Sequence, residues 1–433
     1  MGKCKLELRN VISITVILLV IIEDIGLALI TPPGSIGLYW SSYRKFVPGL
    51  ICVCLCFIVI YFCPYMINTK SFLPIYLLLA TTAIVLIDIY SYITYPNQSM
   101  QEIILTNGHF MFFFLAIPLL WLFLREGTIY VLLDKIDVVI FLWYAVVILQ
   151  KILYTFTGTV FFQMDGMFRD GRLRIHLQNF GNIMIVYNFD RFYNQKGKKR
   201  FFYLVEFLMG IYCMTFVQIT RGYMIAVIIG IGCEIIAAST TLRKTTVTVV
   251  IVVGALMYFI SSGWLENILT SLNLLQTGTI TVRLETMEYY WSEFLKNPIW
   301  GHGTIIDVNN SVIAGGFHGT YYYSDVGIIG ALAQYGLFIV LIYVIPFIHF
   351  IRISLKIFFN SKMRGKFSFL IGLVAYLAAT TPTLIVTDVG RVFLFPFCLA
   401  LFEYADLIMH DYADDINMIE DIGQMEENIR RYP

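Results

Sequence analysis

Runs of about twenty apolar residues recur along this chain and limit its fold more than any other feature. The stretch LPIYLLLATTAIVLIDIY, 73–90, holds a single charge, Asp88. In lipid such a segment satisfies its own N–H and C=O groups only as a helix. We place about twelve spans, at 11–30, 46–67, 71–92, 102–124, 136–157, 175–190, 201–219, 222–240, 245–264, 323–350, 367–387 and 391–409. The sixth (HLQNFGNIMIVYNF) is short and polar, which suits a helix buried among others or broken near one end. The expected fold class is an all-α polytopic membrane protein with a large outer loop carrying an amphipathic helix.

Composition supports this. Of 433 residues, 58% are hydrophobic and 14% charged, where soluble domains carry roughly a quarter charged residues. The net charge of +1 argues against nucleic acid as a partner. The eight cysteines lie nearly all in apolar runs; Cys52, Cys54 and Cys56 step by two along a helix, so they face different ways and lack metal-ligand spacing. The first apolar run is too long for a signal peptide and shows no small-residue cleavage site, so it reads as a transmembrane helix.

Loop charges orient the spans. Basic segments at 190–200 and 352–366 fall on one side of a twelve-span topology together with Lys3, Lys5 and Arg9, which makes that side cytoplasmic and puts both termini inside. Residues 1–264 then hold nine spans and a short basic outer loop at 158–174. Residues 265–322 form a large extracytoplasmic loop, 323–409 hold the last three spans, and 410–433 form an acidic cytoplasmic tail. The outer basic residues are Arg44, Arg169, Arg172, Arg174, Arg221, Arg283 and Arg391, with Lys45, Lys151 and Lys296. Seven of these ten are arginine, against nine of the twenty inside. Cations on the outer side oppose the insertion bias, so another requirement retains them, and arginine's planar fork grips phosphate through two hydrogen bonds.

Within the large loop, TVRLETMEYYWSEFLKNPIWGHG (281–303) has apolar residues at Leu284, Met287, Trp291 and Leu295, one face of a helix. Asn297-Pro298 ends it before a glycine-rich turn. That apolar face is expected to rest on the bilayer or on the helix bundle.

Several side chains are candidates for chemistry. Arg221 lies between two apolar runs with almost no loop, either snorkelling at a helix end or facing a cavity. Arg169, Arg172 and Arg174 are solvated loop charges or anion ligands. Arg283 fits a lipid headgroup or a substrate phosphate. His318 is a lone loop histidine. Tyr321, Tyr322 and Tyr323 could stack on sugar faces or belong to a membrane interface. Asp325 could simply complement a helix dipole, and Asp388 with Arg391 could be a plain ion pair. Gly327, Gly330 and Gly336 permit close helix contacts. Glu23, Asp24 and Asp88 could relay protons or lie near the outer surface. No metal site is expected.

Four stretches together resemble the bacterial O-antigen polymerase and O-antigen ligase group of polytopic glycosyltransferases: GRLRIHLQNFGN (171–182), ITRGYM (219–224), the 281–303 helix and turn, and FHGTYYYSDVGIIGALAQYG (317–336). The likeness covers roughly 160–340. Ligases of the group usually have asparagine after the loop histidine, whereas Gly319 follows His318 here, which favours polymerase. The resemblance implies a donor glycan on undecaprenyl diphosphate, presented in the outer leaflet of the bacterial cytoplasmic membrane. It implies metal-independent, inverting transfer without a cofactor. Arg221, Arg283 and one or more of Arg172 and Arg174 would stabilise the departing diphosphate, and His318 would take the acceptor's proton. Arg169, Tyr321, Tyr322, Asp325 and Arg391 would help bind substrate. Membrane lipid, a chain-length regulator and a flippase are the implied partners. The alternatives are an O-antigen-type ligase, or a flippase or exporter of lipid-linked oligosaccharides. A non-catalytic membrane scaffold is a further class, one that needs neither His318 nor the outer arginines.

Overall fold

The computed structural model describes residues 2–25, 38–68, 71–162, 167–169, 172–238, 279–306, 313, 315–316 and 321–410. Among the described residues the apolar runs mostly form helices. In chain order these are α1 (Gly2–Val20), α2 (Leu38–Phe62), α3 (Phe72–Thr94), α4 (Met100–Glu126), α5 (Tyr130–Thr157), α6 (Gln178–Asn194), α7 (Lys198–Gln218) and α8 (Arg221–Ala238). After them come α9 (Thr279–Lys296), α10 (Gly327–Tyr335), α11 (Val340–Phe359), α12 (Ser361–Thr380) and α13 (Val392–His410). Among the described residues seven helices are long and apolar enough to cross a bilayer: α3, α4, α5, α7, α11, α13 and, in α2, Lys45–Phe62. The chain is an all-α, multi-pass membrane protein. The expected span at 245–264 lies outside the described residues.

The short polar sixth span is the hub. α6 is buried continuously from Asn179 to Asp190 and packs against α7, α8, α5 and α12. Asn188 and Asn194 find partners on or beside the helix: Asn188 donates to Asp137, and Asn194 to Asp190 and Ser368. Its N-terminus needs acceptors for its free N–H groups, and Asp24 supplies one from the π-helical turn Ile21–Ile25 that follows α1. The Asn179 N–H donates to Asp24 Oδ1 at 2.8 Å and the Phe180 N–H to Oδ2 at 3.2 Å. Glu23, beside it, is paired with Lys45. Both acids therefore have structural partners.

The expected span 323–350 is not one helix. α10 stops at Tyr335 because Gly336 takes a positive φ of 56°, and α11 continues to Phe359, beyond the expected end. A Cβ on Gly336 would lie 2.3 Å from the Ile299 carbonyl oxygen, so only glycine fits there. The NPIWGHG turn fills the break: His302 N–H donates to Ala333 O, Gly303 N–H to Gln334 O and Leu337 N–H to Pro298 O, at 2.7–2.8 Å. One small piece of sheet occurs, in which Phe168–Arg169 pairs antiparallel with Arg172–Leu173 and sets Arg169 opposite Arg172.

Candidate functional site

The ITRGYM corner joins α7 to α8. The last turn of α7 is π-helical (Cys213–Gln218), and Ile219 then takes φ 53°, the sole positive φ at a non-glycine residue among those described. A β-branched residue in that region is strained by roughly 1–2 kcal/mol, and such strain persists only where neighbours enforce it. Arg174 enforces it here. Its Nε donates to the Gln218 carbonyl and its Nη2 to Thr220 Oγ1, both at 2.8 Å, so it holds the corner from either side of Ile219. Arg221 follows as the first residue of α8; its side chain is outside the described residues. Two residues on, the Tyr223 hydroxyl accepts from Arg391 Nε at 2.8 Å. Arg391 Nη1 lies 3.7 Å from Asp388 Oδ1 and has no hydrogen bond of its own. Arg174, the backbone position of Arg221, and Arg391 thus meet at one corner.

Beside it opens a cavity of about 520 Å³. Tyr321, Tyr322 and Tyr323 form one wall, Gln334 and Tyr335 of α10 another, and Thr106, Asn107 and His109 of α4 a third. The turn from Ile385 to Val389 closes it and contributes Asp388, which ties the cavity to Arg391 and the arginine corner. Aromatic faces with amide and hydroxyl groups are the surfaces that bind sugars, by stacking and by hydrogen bonding to hydroxyls. Among the described residues, Asp388 is the one formally charged residue in the lining. α10 reaches this position by close contacts: a Cβ on Gly327 would meet the Thr381 carbonyl oxygen at 2.3 Å, and one on Gly330 the Tyr323 carbonyl oxygen at 2.2 Å.

Helix α9 backs the tyrosine wall. Tyr290 is fully buried and stacks on Tyr323 with ring centroids 4.6 Å apart, and Tyr289 lies 5.4 Å from Tyr321. Thr286, Tyr290 and Phe294 therefore form the face that meets the protein, while Leu284, Trp291 and Leu295 stay about half exposed. Of the expected stripe, Met287 packs against the protein beside Tyr290, and Leu284, Trp291 and Leu295 are left free. Arg283, seven residues before Tyr290, lies on the wall-facing side two turns away and is exposed.

The same wall is pinned by His302, whose Nδ1 bonds the Tyr323 hydroxyl at 2.7 Å and whose Nε2 bonds Glu293 Oε2 at 3.2 Å. Burial pushes the imidazole below its usual 6.5 despite the Glu293 contact. Partial burial works against ionisation of Glu293, but its bonds to Lys296 and His302 hold its carboxyl below the ordinary value.

The structure gathers some expected site residues and not others. Tyr321 and Tyr322 line the cavity, and Arg391 adjoins it through Asp388. The fork of Arg174 is engaged in holding the corner, and Arg172 is exposed. Arg169 is described in its backbone only. Asp325 ends a 3₁₀ turn before α10, half-buried and outside the lining. His318 lies outside the described residues. Sequence reasoning did not find Asn107, Gln334 and Tyr335. The signal was present as polar residues within otherwise apolar helices, but only tertiary structure shows that they converge. The chain matches no protein-family model and no curated protein sequence.

Proposed function

We propose that this protein is a polymerase that joins undecaprenyl-diphosphate-linked oligosaccharide repeat units on the outer face of the bacterial cytoplasmic membrane. The observation that carries the reading is the sugar-type cavity set against the arginine corner, linked by Asp388 and Arg391. It is the pairing that a glycan on a diphosphate requires. The resemblance of the four motifs to O-antigen polymerases adds to it, with twelve spans and both termini cytoplasmic.

In this reading the acceptor sugar occupies the tyrosine cavity, and the donor diphosphate lies at Arg221 and Arg391, with Arg283 reaching in from α9. The acceptor hydroxyl oxygen attacks the anomeric carbon, the bond from that carbon to the diphosphate oxygen breaks, and configuration inverts. Charge grows on the leaving diphosphate, so cations fixed beforehand stabilise the transition state more than the ground state. The acceptor proton goes to a base near neutral pKa, the role of His318. Arg174 acts through the corner, by positioning Arg221.

A second reading, a flippase or exporter of the same lipids, is favoured by carboxyl groups buried deep in the helix bundle, among them Asp137, Asp190, Glu206 and Glu234. One experiment separates the two: mass spectrometry of lipid-linked glycans in a strain lacking the gene, with the leaflet of any accumulated lipid determined. Single repeat units building up on the outer leaflet are expected. Single units held on the inner leaflet would mean a flippase, and long polymer stranded on lipid would mean a ligase.

A further inference from the structure

The far end of the bundle holds a second cluster of ionisable groups. Asn179 and Asp190 lie eleven residues apart in α6, so about 17 Å of helix separates this cluster from the arginine corner. α5 contributes Asp134 and Asp137, one turn apart; α6 contributes Asp190 and Arg191; α7 contributes Tyr203 and Glu206; α8 contributes Glu234. Asp137, Asp190, Glu206 and Glu234 are each at most 2% exposed.

The donors do not match the acceptors. Asn188 Nδ2 donates to Asp137 at 2.9 Å, and Asn194 and Ser368 donate to Asp190. Tyr187 and Tyr203 both donate to Asp134. Glu206 and Glu234 receive no N–H or O–H donor on either oxygen. Instead Glu206 faces Asp137 across the contact between α7 and α5, and Glu234 faces Asp190 across the contact between α8 and α6. Two facing carboxylates have four acceptor oxygens and no donor, so they can lie side by side in the interior only with a proton between them.

Charge balance points the same way. Among the described residues, these five carboxyls, Asp134 partly exposed, face the partly buried cation Arg191, which sits 3.7 Å from Asp134 and 4.2 Å from the Tyr130 ring centre. Lys198 and Lys199 lie farther out, on the rim of a cleft of about 460 Å³ whose lining includes Asp134, Asp137 and Tyr203. An unpaired carboxylate is strongly disfavoured in a low-dielectric interior, so the two pairs are retained with something bound.

We infer that the Asp137–Glu206 and Asp190–Glu234 pairs are a proton-binding site, each pair holding one proton between its carboxyls, and that the cleft connects the first pair to the solution at that end of the molecule. The site is separate from the sugar cavity and does not rest on the polymerase reading. Moving α7 away from α5 would separate Glu206 from Asp137 and release the first proton, so an opening of this end is linked to pH.

The test is infrared spectroscopy of the full-length purified protein in detergent, in the carbonyl region of protonated carboxylic acids. At neutral pH an absorption is expected that shifts promptly on transfer to heavy water. It should weaken in Glu206→Gln, weaken separately in Glu234→Gln, and be unchanged when sodium chloride replaces choline chloride. Absence of the band in the unmodified protein at neutral pH overturns the inference, whatever the variants do. So does a band indifferent to both substitutions. A band that never exchanges would make the pairs a sealed structural bond, and one that sodium abolishes would make the ligand a metal cation; either result also overturns it.

Discussion

Arg174 and Arg221 are the same residue type at one corner, and they are proposed to do different work. Arg174 donates two hydrogen bonds across the strained Ile219 corner. Removing a charged donor from bonds of this kind costs about 2 kcal/mol or more, so Arg174→Ala should lower the melting temperature measurably. Arg221→Ala should leave it nearly unchanged, because its proposed partner is the substrate. Polymer formation should separate the residues in the other direction. Arg221→Ala, Arg283→Ala and His318→Ala should each lose roughly a hundredfold or more in turnover, the usual loss for one group removed from transition-state charge stabilisation or proton transfer, while the protein still inserts. Full activity in any two would sink the proposed site. Arg283→Lys keeps the charge but not the fork, and should resemble the alanine variant. The arginines stood out in the sequence because, on the expected topology, they oppose the insertion bias. The acids of the far cluster were equally visible, one inside each of the spans 136–157, 175–190, 201–219 and 222–240. Hydropathy averaged over a span conceals a single carboxylate, and sequence cannot show that four such residues lie at one depth.

At the level of elements, apolar length revealed the helices and missed the break between α10 and α11. The break depends on the backbone angle of Gly336 and on the close approach of the NPIWGHG turn, neither of which alters mean hydropathy. Gly336→Ala places a methyl group against backbone atoms of Ile299 and Gly301 that cannot move aside. We expect it to reduce stability by about 2 kcal/mol or more, read as a lower melting temperature and faster proteolysis of α9. The docking of α9 should also depend on pH, through His302 and Glu293. Burial lowers the His302 value below 6.5 when α9 is docked, so the undocked imidazole takes up a proton first as the solution is acidified. Glu293, held low by its partners, loses its contribution on acidification as well. Both signs agree: docking is complete at and above neutral pH and weakens as pH falls through 6.5 and into the carboxylate range. Protection of α9 amides from hydrogen exchange, taken relative to the intrinsic rate at each pH, should therefore fall between neutral pH and about pH 5.5, and His302→Gln should flatten the histidine part of that fall. Unchanged protection across the range would remove His302 as the pin.

At the scale of the whole molecule, the two ends of the bundle differ in chemistry, and that difference predicts which way it sits. One end carries the tyrosine cavity and the arginine corner; the other carries the acid pairs with Lys198 and Lys199 at their mouth. The exposed stripe Leu284–Trp291–Leu295 on α9 gives the cavity end a surface suited to the boundary of a bilayer leaflet. A long prenyl chain would enter from that boundary, since its diphosphate must reach the corner while its tail stays in lipid. The lysine-rich end, including the start of α7, is predicted by the insertion bias to face the cytoplasm. Replacing Tyr322 or Lys198 by cysteine, in a chain whose own cysteines are changed to serine or alanine, tests this directly with a membrane-impermeant thiol reagent. Tyr322→Cys, exposed on the cavity wall, should react in intact cells. Lys198→Cys should react only after the membrane is opened. The reverse pattern would put the cavity in the cytoplasm, where the outer-leaflet donor cannot reach it, and polymerisation on the outer face would have to be abandoned even with every contact at the corner intact.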